Sequence, residues 1–124
     1  MSTEEFLDSL VYFLRNYRYR YIRESQLQEG VEHVFGLRAD LSFQREHALS
    51  PRDRPDFWFP AEGVAVELKT EGSITPLTRQ LHRYALLPEV KGLCLVTPVR
   101  RLCALPEALA GVPLRTCYLE NSVF

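Results

Sequence analysis

Apolar residues recur at helical spacing over the first third of the chain. In residues 4–21 the interval is three or four positions, as on one face of a helix. The members of this first stripe are Phe6, Leu10, Phe13, Leu14, Tyr17 and Tyr21. A second stripe lies in residues 24–35, and its members are Leu27, Val31, Val34 and Phe35. Gly36 follows where a helix commonly stops, so the pattern predicts two helices, over 4–21 and 24–35.

The middle of the chain changes to the two-residue period of β-strands. Residues 40–47 alternate between apolar and polar side chains, and a turn-forming segment follows at 50–53. Two short apolar runs then occupy 55–59 and 64–69. The four residues between these runs, 60–63, fit a hairpin loop. This part of the sequence predicts three antiparallel strands in succession.

The last third of the chain predicts a helix and at least two further strands. Thr75 and the proline that follows it fit the cap and the first position of a helix over 76–87. The apolar run 92–98 predicts a buried strand, which the preceding crossover helix makes parallel to a neighbour. A short helix near 105–110 and a strand near 113–119 complete the series. We therefore expect an α/β fold with a mixed sheet flanked by helices.

Composition and charge limit the classes of protein to which the chain can belong. The 124 residues are 46% hydrophobic and 25% charged, as in an ordinary single domain, which we expect to span 1–124. No apolar run approaches the roughly 18 residues of a membrane span, and the N-terminus is acidic where a signal peptide is basic. We therefore expect a cytoplasmic protein. A net charge of −1 excludes binding to nucleic acid through bulk positive charge, so such binding requires a local patch or a metal.

One local patch stands out near the N-terminus. It alternates basic and aromatic residues without an acid, and its members are Arg15, Tyr17, Arg18, Tyr19, Arg20, Tyr21 and Arg23. In one interpretation the arginines contact phosphates and the tyrosines stack on bases. In the other, the tyrosines pack inward and the arginines remain solvated.

The hairpin predicted at 55–69 places two carboxylates opposite each other. Strand parity puts Glu67 and Lys69 on one face, and closing the loop after Phe59 places Asp56 across from Glu67. Paired residues have Cβ atoms about 4.5–5.5 Å apart, and like charges there are destabilising. A hard cation such as Mg²⁺ would relieve the repulsion, with the Leu68 carbonyl as a further ligand and Lys69 at the rim. The alternative is a pair of solvated charges on an open sheet face.

These residues resemble a known nuclease motif. Pro55-Asp56, followed eleven residues later by Glu67-Leu68-Lys69, resembles the motif of the PD-(D/E)XK nuclease superfamily. Gln80 and Tyr84 are similar to the QxxxY motif of its RecB-like branch. The order α-β-β-β-α-β predicted for residues 24–98 is that of the restriction-endonuclease-like core. The resemblance covers 22–119, with residues 1–21 as an extra N-terminal helix.

The resemblance implies a metal-dependent nuclease that hydrolyses DNA. The implied ligands of Mg²⁺, for which Mn²⁺ is expected to substitute, are Glu24, Asp56, Glu67 and the carbonyl of Leu68. The implied catalytic residues are Asp56, Glu67, Lys69 and Gln80. The residues expected to contact nucleic acid are Arg15, Arg18, Arg20, Arg79, Arg83 and Tyr84. Some of these assignments have alternatives: Gln80 as an exposed amide, Tyr84 as a core residue, and the two arginines of the third helix as a solvated face.

The sequence leaves the substrate and the assembly open. Branched DNA, free ends, single strands and RNA all remain candidates. The chain could act alone, as a homodimer or within a larger complex that processes nucleic acid. The alternative function is a non-catalytic module on the same fold that binds nucleic acid or a protein.

Overall fold

The computed structural model describes residues 1–120 and has an α/β architecture of three helices and six strands. The helices are α1 (Thr3–Arg15), α2 (Glu24–Gly36) and α3 (Ile74–Ala85). The strands are β1 (Gln44–Arg45), β2 (Phe57–Phe59), β3 (Val64–Leu68), β4 (Gly92–Thr97), β5 (Ala108–Leu109) and β6 (Val112–Tyr118). A short 3-10 helix occupies Arg100–Cys103. Within residues 1–120, no helix has the length and apolar character needed to cross a membrane.

The strands form one mixed sheet in the order β1-β2-β3-β4-β6-β5. Strand β2 is antiparallel to both β1 and β3, whereas β4 is parallel to β3 and to β6. Helix α3 makes the crossover from β3 to β4, as the sequence predicted. The carboxyl ends of β3, β4 and β6 consequently meet at one edge of the sheet, and residues that follow these strands are gathered there.

Both faces of the sheet are buried. Helices α1 and α2 pack against one face, which includes Val64, Val66 and Leu68. Helix α3 packs against the other face, which includes Trp58 and Ala65. The predicted parity of β3 is therefore confirmed, because its alternate residues do belong to opposite faces. The alternative of an open sheet face is wrong for this strand, because α3 covers the side that carries Glu67, which is only 5% exposed.

The first helix is shorter than its apolar spacing predicts. Helix α1 ends at Arg15 rather than at residue 21, and Asn16 caps it. The hydroxyl of Tyr19 donates to the carbonyl oxygen of Leu14 at 2.8 Å, and the Tyr19 ring is buried. The tyrosines of the segment 16–23 therefore pack toward the core from an irregular connection, which preserves the apolar spacing without the helix.

Other boundaries also differ from the sequence prediction. The first strand contains only Gln44–Arg45 of the predicted 40–47. Helix α3 begins at Ile74 and ends at Ala85, each two residues before the predicted bound, and Ser73 rather than Thr75 is its N-cap residue. The proline after Thr75 lies in the first turn, where it is tolerated because the N–H groups there lack intrahelical partners.

The helix predicted at 105–110 is replaced by a β-hairpin. Ala110 and Gly111 both have positive φ, of 49° and 79°, and form the two-residue turn between β5 and β6. A two-residue turn with positive φ at both positions matches the twist of two antiparallel strands, here β5 and β6. The last strand lies within one residue of the predicted 113–119 at each end.

Candidate active site

The β2–β3 hairpin has the predicted register. Phe59 pairs with Val64 and Phe57 with Val66, so the next position outward brings Asp56 opposite Glu67. Asp56 lies just before β2, and its Oδ2 accepts the backbone N–H of Leu68 at 2.7 Å. Its carboxylate is thereby turned toward the carboxyl end of β3. The two acids that the sequence places together are adjacent in the structure.

Glu67 is held by side chains from α3. The hydroxyl of Tyr84 donates to its Oε1 at 3.0 Å, and the amide of Gln80 approaches its Oε2 at 3.4 Å. The same amide donates to the Tyr84 hydroxyl at 3.1 Å, so the two residues act as one group. Lys69 adds a positive charge, with Nζ 3.6 Å from Oε2. Each oxygen of Glu67 therefore has a donor, and Gln80 is not an isolated exposed amide.

Lys69 is positioned by strand β4. Its backbone N–H donates to the carbonyl of Val96 at 3.1 Å, and its own carbonyl accepts the buried hydroxyl of Thr97 at 2.6 Å. The backbone of Leu68 faces the other way, toward Asp56. Because the N–H and C=O of one residue point to the same side of an extended strand, the Leu68 carbonyl also faces that side. This is the orientation that a metal ligand at this position requires.

Helix α2 adds a further acid and an amide to the site. Oε1 of Glu24 accepts the backbone N–H of Thr70 at 2.9 Å and its hydroxyl at 3.2 Å. One turn later, Nε2 of Gln28 donates to Oδ1 of Asp56 at 3.1 Å. Sequence analysis missed Gln28, although its position four residues after Glu24 indicated the same helix face. Glu24 thus lies beside the site, and one of its carboxylate oxygens accepts hydrogen bonds from the loop that follows β3.

Burial and mutual repulsion shift the titration of both carboxyl groups. Burial, together with the negative charge of Glu24, raises the pKa of Asp56 to about 6. Burial, together with the charge of Asp56, raises the pKa of Glu67 to about 8, against the opposing effect of Lys69. Without a cation, the site therefore retains a proton near neutral pH. A pair of this kind favours the binding of a positive ion.

The donor set fits a small, hard cation. Mg²⁺ prefers oxygen ligands and is commonly held by one or two carboxylates, with water completing its coordination. Asp56 and Glu67 provide the two carboxylates. No cluster of three or more histidine, cysteine, aspartate or glutamate side chains suited to a metal occurs in residues 1–120. Glu24 lies near the pair, but its Oε1 accepts the backbone N–H of Thr70. The third predicted acid thus stands near the pair without completing it.

In the N-terminal basic segment, the tyrosines follow the interpretation in which they pack inward, and most of the arginines are exposed. Its tyrosines pack inward: Tyr19 is 3% exposed, and Tyr17 forms an edge-to-face contact with Phe13 at 5.4 Å. The stacking of Tyr19 on bases is therefore excluded. Arg15 forms an exposed ion pair with Glu120. The remaining arginines of this segment, Arg18, Arg20 and Arg23, are exposed and have no ion pair within residues 1–120.

The arginines of α3 form no hydrogen bond or ion pair with Asp56 or Glu67 within residues 1–120. Arg83 pairs with buried Asp53 at 3.2 Å, whereas Arg79 is exposed and has no ion pair in the described part of the chain. The side chains that line an open groove of about 670 Å³ at this place are Arg52, Thr75, Thr78, Arg79, His82 and Arg83. Tyr84 is 1% exposed, so its predicted contact with nucleic acid is wrong. Its hydroxyl holds Glu67 instead.

Comparison of the chain with protein-family models, curated proteins and solved structures finds no match. The interpretation of the site therefore depends on its own chemistry. Two opposed carboxylates, a lysine beside one of them and hydrogen-bond donors on every carboxylate oxygen can hold a divalent cation and stabilise a developing negative charge.

Proposed function

We propose that the chain is a metal-dependent nuclease that hydrolyses phosphodiester bonds of DNA on a restriction-endonuclease-like fold. The observation that carries the proposal is the opposition of Asp56 and Glu67 across the hairpin, with the Nζ of Lys69 3.6 Å from Oε2 of Glu67. The series α-β-β-β-α-β between α2 and β4 supports the proposed fold. Two carboxylates placed opposite each other have no evident structural benefit, because their repulsion destabilises the hairpin.

Each residue of the site has a defined part in this proposal. Asp56, Glu67 and the carbonyl of Leu68 would hold Mg²⁺ or Mn²⁺, and Glu24 would bind a second ion directly or through water. When bound, such an ion acts as a Lewis acid and lowers the pKa of water. Lys69 would orient the attacking water or stabilise the charge that develops on the phosphate.

Gln80 and Tyr84 would act through Glu67 rather than on the substrate. Their hydrogen bonds to the two carboxylate oxygens hold the side chain in one orientation. The backbone bonds of Lys69 to β4 do the same for the lysine. A rigid arrangement is expected at a hydrolytic site, because catalysis depends on groups that are already oriented when the charge develops.

Exposed arginines favour a polyanionic substrate despite the net charge of −1. Arg18 and Arg20 lie in the connection to α2, whose first residue is Glu24 at the site. Arg79 and Arg83 line the open groove on α3 together with Arg52. Phosphates along the strand would contact Arg18, Arg20 and Arg79. Arg15 and Arg83 would join them only by leaving Glu120 and Asp53.

The test is a cleavage assay over a panel of substrates. Linear, circular, branched and single-stranded DNA, together with RNA, are incubated with Mg²⁺, Mn²⁺ or EDTA. We expect cleavage that requires the metal and disappears in Asp56→Asn, while Asp40→Asn, which changes an acid paired with Arg38 outside the site, retains it. Binding of DNA without cleavage under every condition would favour the non-catalytic module, and cleavage in EDTA would refute the metal-dependent mechanism.

A further inference from the structure

The side-chain amide of Gln28 connects Arg45 to Asp56. Its Oε1 accepts Nη2 of Arg45 at 3.1 Å, and its Nε2 donates to Oδ1 of Asp56 at 3.1 Å. Gln28 lies on α2 and Arg45 on β1, so the contact joins a helix, a strand and the acid that precedes β2. Neither residue belongs to the motif described for the hairpin.

The chemistry of the two neighbours determines which end of the amide faces Asp56. An arginine side chain donates hydrogen bonds and accepts none. The carbonyl of Gln28 must therefore face Arg45, which leaves its NH₂ group for the carboxylate. The hydrogen-bond partners alone fix this orientation. In the reversed orientation, the NH₂ group of Gln28 would face the donors of Arg45, and its carbonyl oxygen would face the carboxylate of Asp56.

Arg45 is itself held from four sides. Its Nη1 donates to Oε1 of Glu32 at 2.6 Å, and its Nε donates to the backbone carbonyl of Asp56 at 3.3 Å. The guanidinium lies 4.8 Å from the centre of the Phe57 ring, the residue with which Arg45 pairs across the sheet. Only a planar group with donors in a fixed fork can make these contacts together.

The result is one donor on each oxygen of Asp56. Gln28 occupies Oδ1, and the backbone N–H of Leu68 occupies Oδ2 at 2.7 Å. A carboxylate fixed at both oxygens cannot rotate freely. Its remaining lone pairs are therefore presented in one direction.

We propose that Gln28 and Arg45 are positioning residues that orient Asp56 for a divalent cation. The proposal rests on the proposed metal site, although the orientation of the amide does not. Groups that hold a metal ligand from behind commonly change metal affinity or activity by 10–100-fold when removed. We expect an effect of about that size from either residue.

The experiment compares two arginines in similar surroundings. Arg38 also pairs with an acid, donates to a neutral oxygen and lies over a ring, that of Phe13, but it is remote from the carboxylate pair. The variants are Gln28→Met, Arg45→Met and Arg45→Lys, with Arg38→Met and Arg38→Lys as controls. Ca²⁺ binding is measured by calorimetry, and single-turnover cleavage with Mg²⁺ is measured beside it. Urea unfolding shows that each variant is folded.

We expect the Gln28 and Arg45 variants to bind Ca²⁺ about 10–100-fold more weakly, while both Arg38 variants bind it normally. Arg45→Lys should fail like Arg45→Met, because lysine keeps the charge but its single ammonium group cannot contact Gln28, Glu32 and the Asp56 carbonyl together. Full rescue by lysine would show that charge alone matters, which overturns the orienting role. Normal Ca²⁺ affinity in the Gln28 and Arg45 variants would overturn it as well.

A second measurement separates this inference from the proposed nuclease activity. In metal-free protein, the side-chain amide protons of Gln28 are followed by NMR, with Gln28→Met for assignment. They should be protected from exchange in the parent and in Arg38→Met but exposed in Arg45→Met. Protection that survives Arg45→Met would refute the inference. A parent that binds Ca²⁺ and shows these effects without cleaving DNA would refute only the nuclease activity.

Discussion

The hydroxyl of Tyr84 donates to Oε1 of Glu67 at 3.0 Å, and this hydrogen bond joins helix α3 to strand β3. The ring of Tyr84 is buried, and this burial, together with the negative charge of Glu67, raises the pKa of its phenol. Tyr84 therefore remains a neutral donor throughout the working pH range. It stabilises the charged form of Glu67, which is the form that binds a cation.

Tyr84→Phe should fold but hydrolyse DNA about 10–100-fold more slowly, because Glu67 loses the donor that orients it. Above pH 8, where Glu67 is charged without metal, the loss of a hydrogen bond to this charged group should lower the free energy of unfolding by about 1.5–3 kcal/mol. Single-turnover cleavage and urea unfolding measure the two effects. Tyr12→Phe is the control, because Tyr12 is 74% exposed. Unchanged cleavage in Tyr84→Phe would remove this contact from the mechanism.

Asp56→Asn and Glu67→Gln should each abolish metal-dependent hydrolysis, because either change removes one of the two carboxylates available to Mg²⁺. Without metal, Glu67→Gln should be at least as stable as the parent near pH 8, because one member of a repelling pair is neutral. Asp56→Asn should gain less stability, because its NH₂ group replaces an oxygen that accepts a hydrogen bond from Gln28 or Leu68. Cleavage assays and urea unfolding at that pH provide the measurement. Near-normal activity in either variant would mean that the catalytic site lies elsewhere.

The stability of the metal-free protein should fall as the pH rises from about 4 to about 8. The pKa of Asp56 is raised from 3.8 to about 6, and that of Glu67 from 4.5 to about 8. The folded protein thus binds protons that the unfolded chain has released, and stability declines as these protons are lost. The pKa values of Asp53 and Asp40 are lowered, so these two residues change the stability only at more acidic pH.

Urea unfolding in EDTA across this range tests the linkage, with Glu67→Gln as the control for other titrating groups. The decline should be smaller in this variant than in the parent, and added Mg²⁺ should reduce it in the parent alone. An equal decline in both proteins would contradict the assignment of the titration to Glu67.

Lys69→Ala should retain metal binding yet hydrolyse DNA on the order of a hundredfold more slowly. A charged lysine cannot ligate Mg²⁺, and its removal takes a positive charge away from Glu67, so Ca²⁺ affinity should be equal or slightly higher. Calorimetry with Ca²⁺ and single-turnover cleavage decide the matter. Lys91→Ala, which changes an exposed lysine at the opposite end of β4, is the matched control. Loss of metal binding in Lys69→Ala would identify the lysine as a structural support.

Replacing Arg18 and Arg20 with alanine should weaken DNA binding and its salt dependence. Each phosphate contact that is lost should reduce the slope of log affinity against log salt by about 0.9 on duplex DNA. Arg15→Ala should have a smaller effect, because Arg15 is paired with Glu120. The control is Arg115→Ala, an arginine paired with Asp8. An unchanged slope would show that the segment is a solvated surface.

Local patterns predicted the elements that depend on neighbours in sequence. The hairpin register follows from the length of the loop at 60–63, so counting outward was sufficient to bring Asp56 and Glu67 together. The spacing of Gln80 and Tyr84 on one helix predicted their contact in the same way. Where tertiary contacts compete with periodicity, the prediction was wrong. The tyrosines after Arg15 keep an apolar spacing because they pack on the core, although the helix has ended.

The sequence alone determined the helix–strand series through residue 98, the parity of β3 and the opposition of two carboxylates, because each depends on short-range geometry. Only the tertiary structure decided that α3 buries Glu67 and turns Tyr84 inward, and that Gln28 and Arg45 meet at Asp56. Those contacts join residues up to 28 positions apart, on elements whose relative placement depends on how two helical layers pack on the sheet. The chain pattern specifies which faces are apolar, but the packing of those faces decides which polar groups meet at their edge.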